Sequence, residues 1–367
     1  MRIVHIITDL KKGGAENSLY KICQYDKANE HTVISIKSLG DYNLLFKKIG
    51  INVYNMNIKF YSFFKFIYLI KFIRLLKPDI VQTWLPHGDL IGGIAAKLSG
   101  INRIVWNIRY SKLERDVVTL RTIILIKILS KLSFIIPKII IVVSKSALKN
   151  CKDLGYCVDK LRLIQNGFDV SIIMHDKKKY KKKNIPILGS IARFDPTKDH
   201  ENLLKALSIV KKKNINFICH LIGLNIDKNN KILVNQIKKL ELSSCVKLLG
   251  KSNDVLKSMR ALDIHILSSK TEGFPNVVAE AMTLGIPCIV TDVGDSALIV
   301  GKTGWVVQPK NPVKLANAIE KALSLIGKKG WKIRCERAKL RIKKNFEISK
   351  MVKLYNMTWS AVYNKNL

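Results

Sequence analysis

The sequence predicts an α/β protein made of two Rossmann-like halves, each built on a parallel sheet. Three observations carry that reading. Apolar stretches of strand length alternate with helical stretches along the whole chain. With 367 residues, 48% of them hydrophobic, the chain is long enough to fill two separate cores. Near its middle runs Lys177-Lys178-Lys179-Tyr180-Lys181-Lys182-Lys183, a charge run that should stay solvated and unpacked, as a linker does.

The first half opens with an apolar strand at 2–7. It is too short for a signal peptide, and Asp9 and Lys11 follow at once. A loop at 8–14 leads to a helix from about Ala15. Further strands are expected at 31–36, 52–56, 80–82, 103–107 and 138–143, then a helix at 145–153 and a strand at 161–164. Asn166-Gly167-Phe168-Asp169 reads as a turn. The second half starts with a strand at 187–192, a helix at 202–212 and a strand at 216–222. A helix at 230–240, a strand at 246–249 and a helix at 253–261 come next. No repeat of solenoid length is present.

Composition narrows the function. The seven cysteines are odd in number, scattered and without a C-x-x-C pair, which predicts reduced, mostly buried thiols in a cytoplasmic protein. The net charge of +37 comes mainly from lysine spread over the chain. It reflects either a lysine-rich composition or a positive field suited to anionic lipid or anionic substrates. Nucleic acid is not expected as a partner, since no helix-turn-helix, zinc-finger or RNP-like pattern occurs.

The chemistry concentrates in Glu272-Gly273-Phe274-Pro275-Asn276-Val277-Val278-Ala279-Glu280. A strand at 264–268 precedes it. A helix from Val277 to Leu284 follows, closed by Gly285 and Pro287 ahead of a strand at 288–291. Pro275 suits the first helical turn, where its missing N–H costs nothing. The amides of that turn and the helix dipole make an anion site fit for phosphate. Glu272 stands before the turn. Glu280, about five residues into the helix, leans back toward its start and is placed to accept hydrogen bonds from a ribose diol.

This segment resembles the signature of the GT-B glycosyltransferases of family 4, retaining enzymes that use nucleotide-sugar donors. The resemblance implies the GT-B form of the α/β class, two Rossmann-like domains with parallel sheets facing across a cleft. It implies an acceptor domain at 1–172, a linker at 173–185 and a donor domain at 186–345, with a last helix at 346–363 crossing back. In the family pattern Glu272 contacts the donor sugar, the backbone through Gly273, Phe274, Pro275, Asn276 and Val277 holds the distal phosphate, and Glu280 binds the ribose.

Three further stretches match the family. Ile191-Ala192-Arg193-Phe194-Asp195-Pro196-Thr197-Lys198-Asp199 is similar to its basic clamp, in which Arg193 offers a forked contact and Lys198 a point charge to the leaving diphosphate. Val246-Lys247-Leu248-Leu249-Gly250-Lys251, followed by Asn253, matches the stretch whose backbone borders the nucleotide base, with Leu249 and Gly250 as the contacts. Lys12-Gly13-Gly14-Ala15-Glu16 follows the first strand, where Gly13 and Gly14 let amides approach a donor. It lacks the G-x-G-x-x-G of dinucleotide binders.

Trp84-Leu85-Pro86-His87-Gly88-Asp89 lies just past the strand at 80–82, and the resemblance places His87 beside the donor sugar. Asn107-Ile108-Arg109-Tyr110-Ser111 follows the next strand, and Arg109 is the candidate acceptor contact by position. No D-x-D triplet and no zinc-type spacing occurs, so no metal or other cofactor is expected.

The aromatic and lysine-punctuated stretch 59–74 has the composition of a helix at a membrane surface. It equally suits an ordinary helix packed on a sheet. The apolar region 122–143 is interrupted by lysines and is not expected to span a bilayer. The expected partners are a nucleotide-sugar donor, a saccharide or lipid-linked saccharide acceptor and an anionic membrane surface. The expected function is transfer from a UDP-sugar to a polyprenyl-diphosphate-linked saccharide in O-antigen or capsule assembly. Another GT-B activity such as epimerisation, or a non-catalytic basic docking module, stands as the alternative.

Overall fold

Strand follows helix almost without exception, and the strands collect into two wholly parallel sheets. This computed structural model describes residues 1–11, 13–58, 62–109, 119–171, 185–252 and 254–364. It divides into two units: Met1–Gly167 with Ile348–Leu367, and Phe168–Glu347. Lys12, Lys59-Phe60-Tyr61, Tyr110-Ser111, residues 173–184 of the expected linker and Asn253 lie outside the described residues.

The first unit runs β1 (Arg2–Ile7), α1 (Gly14–Tyr25), β2 (Glu30–Ser35), α2 (Tyr42–Lys48), β3 (Asn52–Asn55), α3 (Phe63–Leu76) and β4 (Ile80–Trp84). It continues through α4 (Gly93–Leu98), β5 (Ile104–Ile108), α5 (Leu120–Leu132), β6 (Ile139–Val142), α6 (Lys145–Asp153) and β7 (Leu161–Leu163). The second unit holds β8 (Ile187–Ile191), α7 (His200–Lys212), β9 (Ile218–Ile222), α8 (Lys231–Lys239), β10 (Val246–Leu248) and α9 (Val255–Met259). After these come β11 (Ile264–Leu267), α10 (Asn276–Thr283), β12 (Cys288–Thr291), α11 (Ser296–Val300), β13 (Trp305–Val307), α12 (Pro312–Leu323) and α13 (Lys329–Asn345). The last helix, α14 (Ile348–Tyr363), belongs to the first unit.

The first sheet is ordered β3-β2-β1-β4-β5-β6-β7. Its strands are apolar on both sides, as a sheet covered by helices on both faces requires. On β1, Val4 and Ile6 point into the core shared by α3, α4, α5 and α6, while Ile3 and Ile7 join Leu19, Phe46, Tyr355 and Trp359 opposite. A buried polar chain crosses that second face. Trp84 Nε1–H donates to His5 Nδ1 (3.2 Å), so the His5 proton sits on Nε2 and points to His31 Nδ1 (3.0 Å). His31 Nε2–H then reaches Asp26 (3.1 Å), which also accepts from Asn356 on α14. His5, His31 and Cys23 have ligand-like spacing, but every nitrogen of the two rings is already committed to this relay.

The second sheet is ordered β10-β9-β8-β11-β12-β13. Leu188, Ile264 and Ile289 on its strands and Leu203, Leu207, Leu233, Leu315 and Ile319 on its helices fill one core.

Several boundaries depart from the sequence reading. The strand at 80–82 extends through Thr83 and Trp84, because Trp84 is buried against His5 instead of opening the loop. Asn166-Gly167-Phe168-Asp169 is not a free turn. Phe168 N–H donates to Phe346 O (2.8 Å) and forms a parallel bridge with Glu347, while Ile348 and Met351 pack on Gly167. All seven thiols are unpaired, with Cys157 and Cys335 only half-buried.

Candidate active site

Each sheet reverses its strand order at one place, between β1 and β4 in the first unit and between β8 and β11 in the second. The carboxyl ends of strands flanking such a reversal are where open α/β sheets take ligands. The loops after β8 and β11 meet there in the second unit. Lys270 N–H donates to Thr197 O (2.7 Å) and Ser268 Oγ–H to Lys198 O (2.9 Å), lacing the two loops together.

On that framework Lys198 Nζ lies 2.6 Å from Glu272 Oε1. The same oxygen accepts from Ser269 Oγ–H at 2.7 Å. Both donors converge on one carboxylate oxygen, and among the described residues Oε2 has no partner. Both side chains are mostly buried, so the pair is screened little by solvent. Arg193 is different. Its side chain is 65% exposed and pairs with Asp195 at 3.1 Å. Asp195 also caps its own loop by accepting from Thr197 N–H and Oγ–H. Those bonds hold its carboxyl below the usual carboxylate range despite the opposing cost of burial.

The Glu272–Glu280 segment is held from behind. Asp295 N–H donates to Gly273 O (2.9 Å), and Thr291 Oγ–H to Ser269 O (2.7 Å). Gly294, at φ 57°, sits so close to the carbonyls of Glu272 and Gly273 that no Cβ fits. Phe274 turns inward, stacking on Phe168 (centroids 6.1 Å) and meeting Phe346 edge-on (5.6 Å).

Pro275 stands one residue earlier than the sequence suggested. At φ −73° and ψ 94° it is the cap residue, and α10 begins at Asn276. No side chain caps α10 and no acid occupies its first turn, so its start is open to an anion. Its far end closes as expected: Ile286 N–H bonds to Ala281 O and Gly285 N–H to Met282 O, with Gly285 at φ 75°. Glu280 is half-buried on α10, one turn in from Asn276.

Leu249 and Gly250 are reached through a chain of contacts. Gly223 N–H donates to Gly250 O (2.8 Å), Gly223 packs on Ala192, and Phe194 N–H donates to Leu224 O (2.9 Å). The rim of the second unit thus runs continuously from Gly250 through Arg193 and Lys198 to Glu272.

In the first unit, Gly88 N–H donates to Thr8 Oγ1 (3.3 Å) and joins the loops after β1 and β4. His87 leads into a π-helical turn, Gly88–Gly92, and its ring is exposed. Desolvation by partial burial, then the Lys37 charge, lower its imidazole below the usual histidine range. Asp89 beside it is fully buried, accepts from Thr83 (2.5 Å) and is pushed up to about 8 by burial.

Gly13 caps α1, and a Cβ there would run into the Glu16 carboxylate. That buried acid, raised to about 7 by desolvation, already occupies the start of α1. Gly13 and Gly14 therefore offer their amides beside a carboxyl group, not an empty anion site.

Arg109 is mostly engaged within its own unit. It donates to Asn107 (2.8 Å), Ser18 (3.0 Å), Asn166 and Tyr355 (3.0 Å), and it lies over the Trp84 ring. Among the described residues, one N–H of its guanidinium has no partner.

Sequence reasoning missed Ser269, Lys270, Asp195, Gly294 and Glu16. Ser269 and Lys270 were legible only as positions adjoining the Glu272 motif. Lys270 Nζ reaches Asp199 at 3.5 Å.

The two parallel sheets, each with its point of reversal, define a GT-B fold. Family models described as "Glycosyl transferases group 1" and "Glycosyltransferase Family 4" match residues 172–333 and 12–172, and the chain belongs to glycosyltransferase family 4. It is a glycosyltransferase. Among curated proteins it is similar to the capsular polysaccharide biosynthesis glycosyltransferase CapH of Staphylococcus aureus, at 25% identity over 77% of this chain and 78% of that one. It is also similar to the UDP-Gal:alpha-D-GlcNAc-diphosphoundecaprenol alpha-1,3-galactosyltransferase of Escherichia coli, at 24% over 71% of each. HepE of Anabaena, solved with UDP-glucose, shares the fold with a TM-score of 0.82 at 20% identity, over 98% of this chain and 100% of that one.

Proposed function

We propose that the protein transfers a sugar from a UDP-sugar to a saccharide acceptor with retention at the anomeric carbon and without a metal. The acceptor class is a saccharide on a polyprenyl diphosphate, in capsule or O-antigen assembly at the cytoplasmic face of a bacterial membrane. Support for the acceptor comes from the relatives' activities. Support for the donor comes from the convergence of Lys198 and Ser269 on one oxygen of Glu272, ahead of the uncapped α10.

In this reading the diphosphate lies at the α10 start, with Arg193 and Lys198 stabilising the charge that develops as it leaves. Those groups supply the electrostatic work that a metal performs in other transferases. Glu280 accepts from the ribose hydroxyls, and Leu249 and Gly250 border the base. Glu272 Oε2 accepts from the sugar, and His87, by resemblance, takes another sugar hydroxyl. Gly13 and Gly14 stay assigned to the donor and Arg109 to the acceptor through its remaining N–H. The bond from C1 to the phosphate oxygen breaks as the acceptor oxygen attaches to the same face of C1. The acceptor proton passes to the departing phosphate oxygen.

Titrating the purified chain with UDP- and GDP-sugars while following thermal stability tests the donor, since a ligand of the native state raises Tm according to its affinity. A UDP-sugar that stabilises it, and product formation unaffected by EDTA, are the expected results. Donor consumption without any acceptor product would overturn the transfer reading. Activity abolished by EDTA would overturn the metal-free one.

A further inference from the structure

We infer that the outer surface of α3 and α5 docks the first unit onto an anionic lipid bilayer, a placement that rests on the lipid-linked acceptor reading above. Both helices cover the same face of the first sheet. α3 buries Leu69 and Ile73 there and α5 buries Ile126 and Leu129, with Ala95 and Ala96 of α4 in the same core. Their opposite stripes consequently point outward on one side.

Those outer stripes are apolar. On α3, Phe64, Tyr68 and Leu75 follow helical spacing, with Phe64 85% and Leu75 74% exposed. On α5, Leu120, Ile124 and Ile128 do the same, with Leu120 71% exposed, and Ile135 just beyond is 69% exposed. An ordinary surface helix puts charge where these side chains stand. Here the charge is beside them and of one sign. Lys65 and Lys71 flank the first stripe and Lys127 and Lys131 the second, and α3, α4 and α5 contain no acidic residue. Exposed rings and aliphatic chains bordered, among the described residues of these helices, by lysine and arginine fit the boundary between headgroups and acyl chains. Each lysine there is attracted by anionic lipid.

Neither helix is a span, because no helix among the described residues is long and apolar enough to cross a membrane. A second copy of this chain is the less fitting occupant, since it would set lysine against lysine.

The test is sedimentation of the full chain with vesicles of phosphatidylcholine alone, and of phosphatidylcholine mixed with phosphatidylglycerol. Binding to the mixed vesicles only, weakened about tenfold or more in Phe64→Ser/Tyr68→Ser and in Ile124→Ser/Ile128→Ser, is expected. Lys65→Glu/Lys127→Glu should weaken it too and make what remains less sensitive to salt. Unaltered Tm and unaltered transfer to a soluble acceptor would show that each variant is folded. Wild-type sedimentation by all three variants overturns the docking face. So does a change in oligomeric state at unchanged vesicle binding, which would make the stripes a contact between copies. Vesicle binding by a chain that turns over no donor would leave the docking face standing and remove the transferase reading instead.

Discussion

Lys198 and Glu272 hold each other 2.6 Å apart at the carboxyl end of the second sheet, in loops joined by main-chain hydrogen bonds. Neither charge is well solvated, so removing one strands the other. Lys198→Ala and Glu272→Gln are each expected to lower kcat by about 10²–10³-fold. Ser269→Ala, which deletes one hydrogen bond from an uncharged donor to the same carboxylate, should cost about 1.5 kcal/mol, or roughly tenfold. Steady-state rates against donor concentration give this ranking. Equal losses for Ser269→Ala and Lys198→Ala would contradict it.

Glu280 offers a different readout. If it accepts from the ribose, Glu280→Ala should weaken UDP and GDP alike by about tenfold or more, close to 1.4 kcal/mol. The shift in Tm on adding each nucleotide measures it. Undiminished affinity would remove the ribose assignment while leaving the phosphate site intact.

Gly294 combines a positive φ with two carbonyls at its face. Gly294→Ala must push the Glu272–Gly273 turn forward or strain the loop behind it. The expected loss is about 1–3 kcal/mol in stability, with a further fall in donor affinity. Calorimetry with and without UDP separates the two. Retained stability with wild-type donor affinity would mean the loop yields freely.

Two buried histidines set an acid limit. His200 and His265 are lowered from 6.5 to about 4 by burial, and neither ring nitrogen of His265 has a partner among the described residues. The unfolded chain takes up protons at both rings below about pH 6.5, whereas the folded chain does so only near pH 4. The contribution of these rings is therefore full above that window and falls as pH drops through it, by about 1.4 kcal/mol per pH unit for each ring, against the opposite contribution of the raised carboxyls of Asp89 and Glu16. His265→Leu should remove about 1.4 kcal/mol per pH unit of this fall. Urea melts at several pH values check it, and an unchanged slope would exclude His265 as a contributor.

Much of the fold was readable because both sheets are parallel and doubly covered. Their strands stand out as short apolar runs, and β1, α6 and β12 fall where the pattern put them. The region from α11 to α13 was not readable. Trp305–Val307 is too brief to show a period, and α13 is so rich in lysine and arginine that it looks solvated throughout. At the site, Glu272, Lys198 and α10 announced themselves through local spacing. Ser269 and Gly294 did not, since their importance lies in the carboxylate and the carbonyls of the Glu272 turn that they touch across 3 and 22 positions of sequence. Arg109 carries a related ambiguity. A cation at a strand end looks the same in sequence whether its fork is open or tied to Ser18, Asn166 and Tyr355.

That fastening of Arg109 to Tyr355 has a bearing on biosynthesis. Trp359 and Tyr355 complete the interior of a domain whose other parts emerge from the ribosome first, so the opening half of the polypeptide must wait, unfinished, for its final turn of synthesis. The intervening half is contiguous and has no such delay. Chaperone demand should accordingly fall on the earliest-made residues, and a nonsense codon ahead of Ile348 should leave a protease-resistant fragment drawn from the later ones.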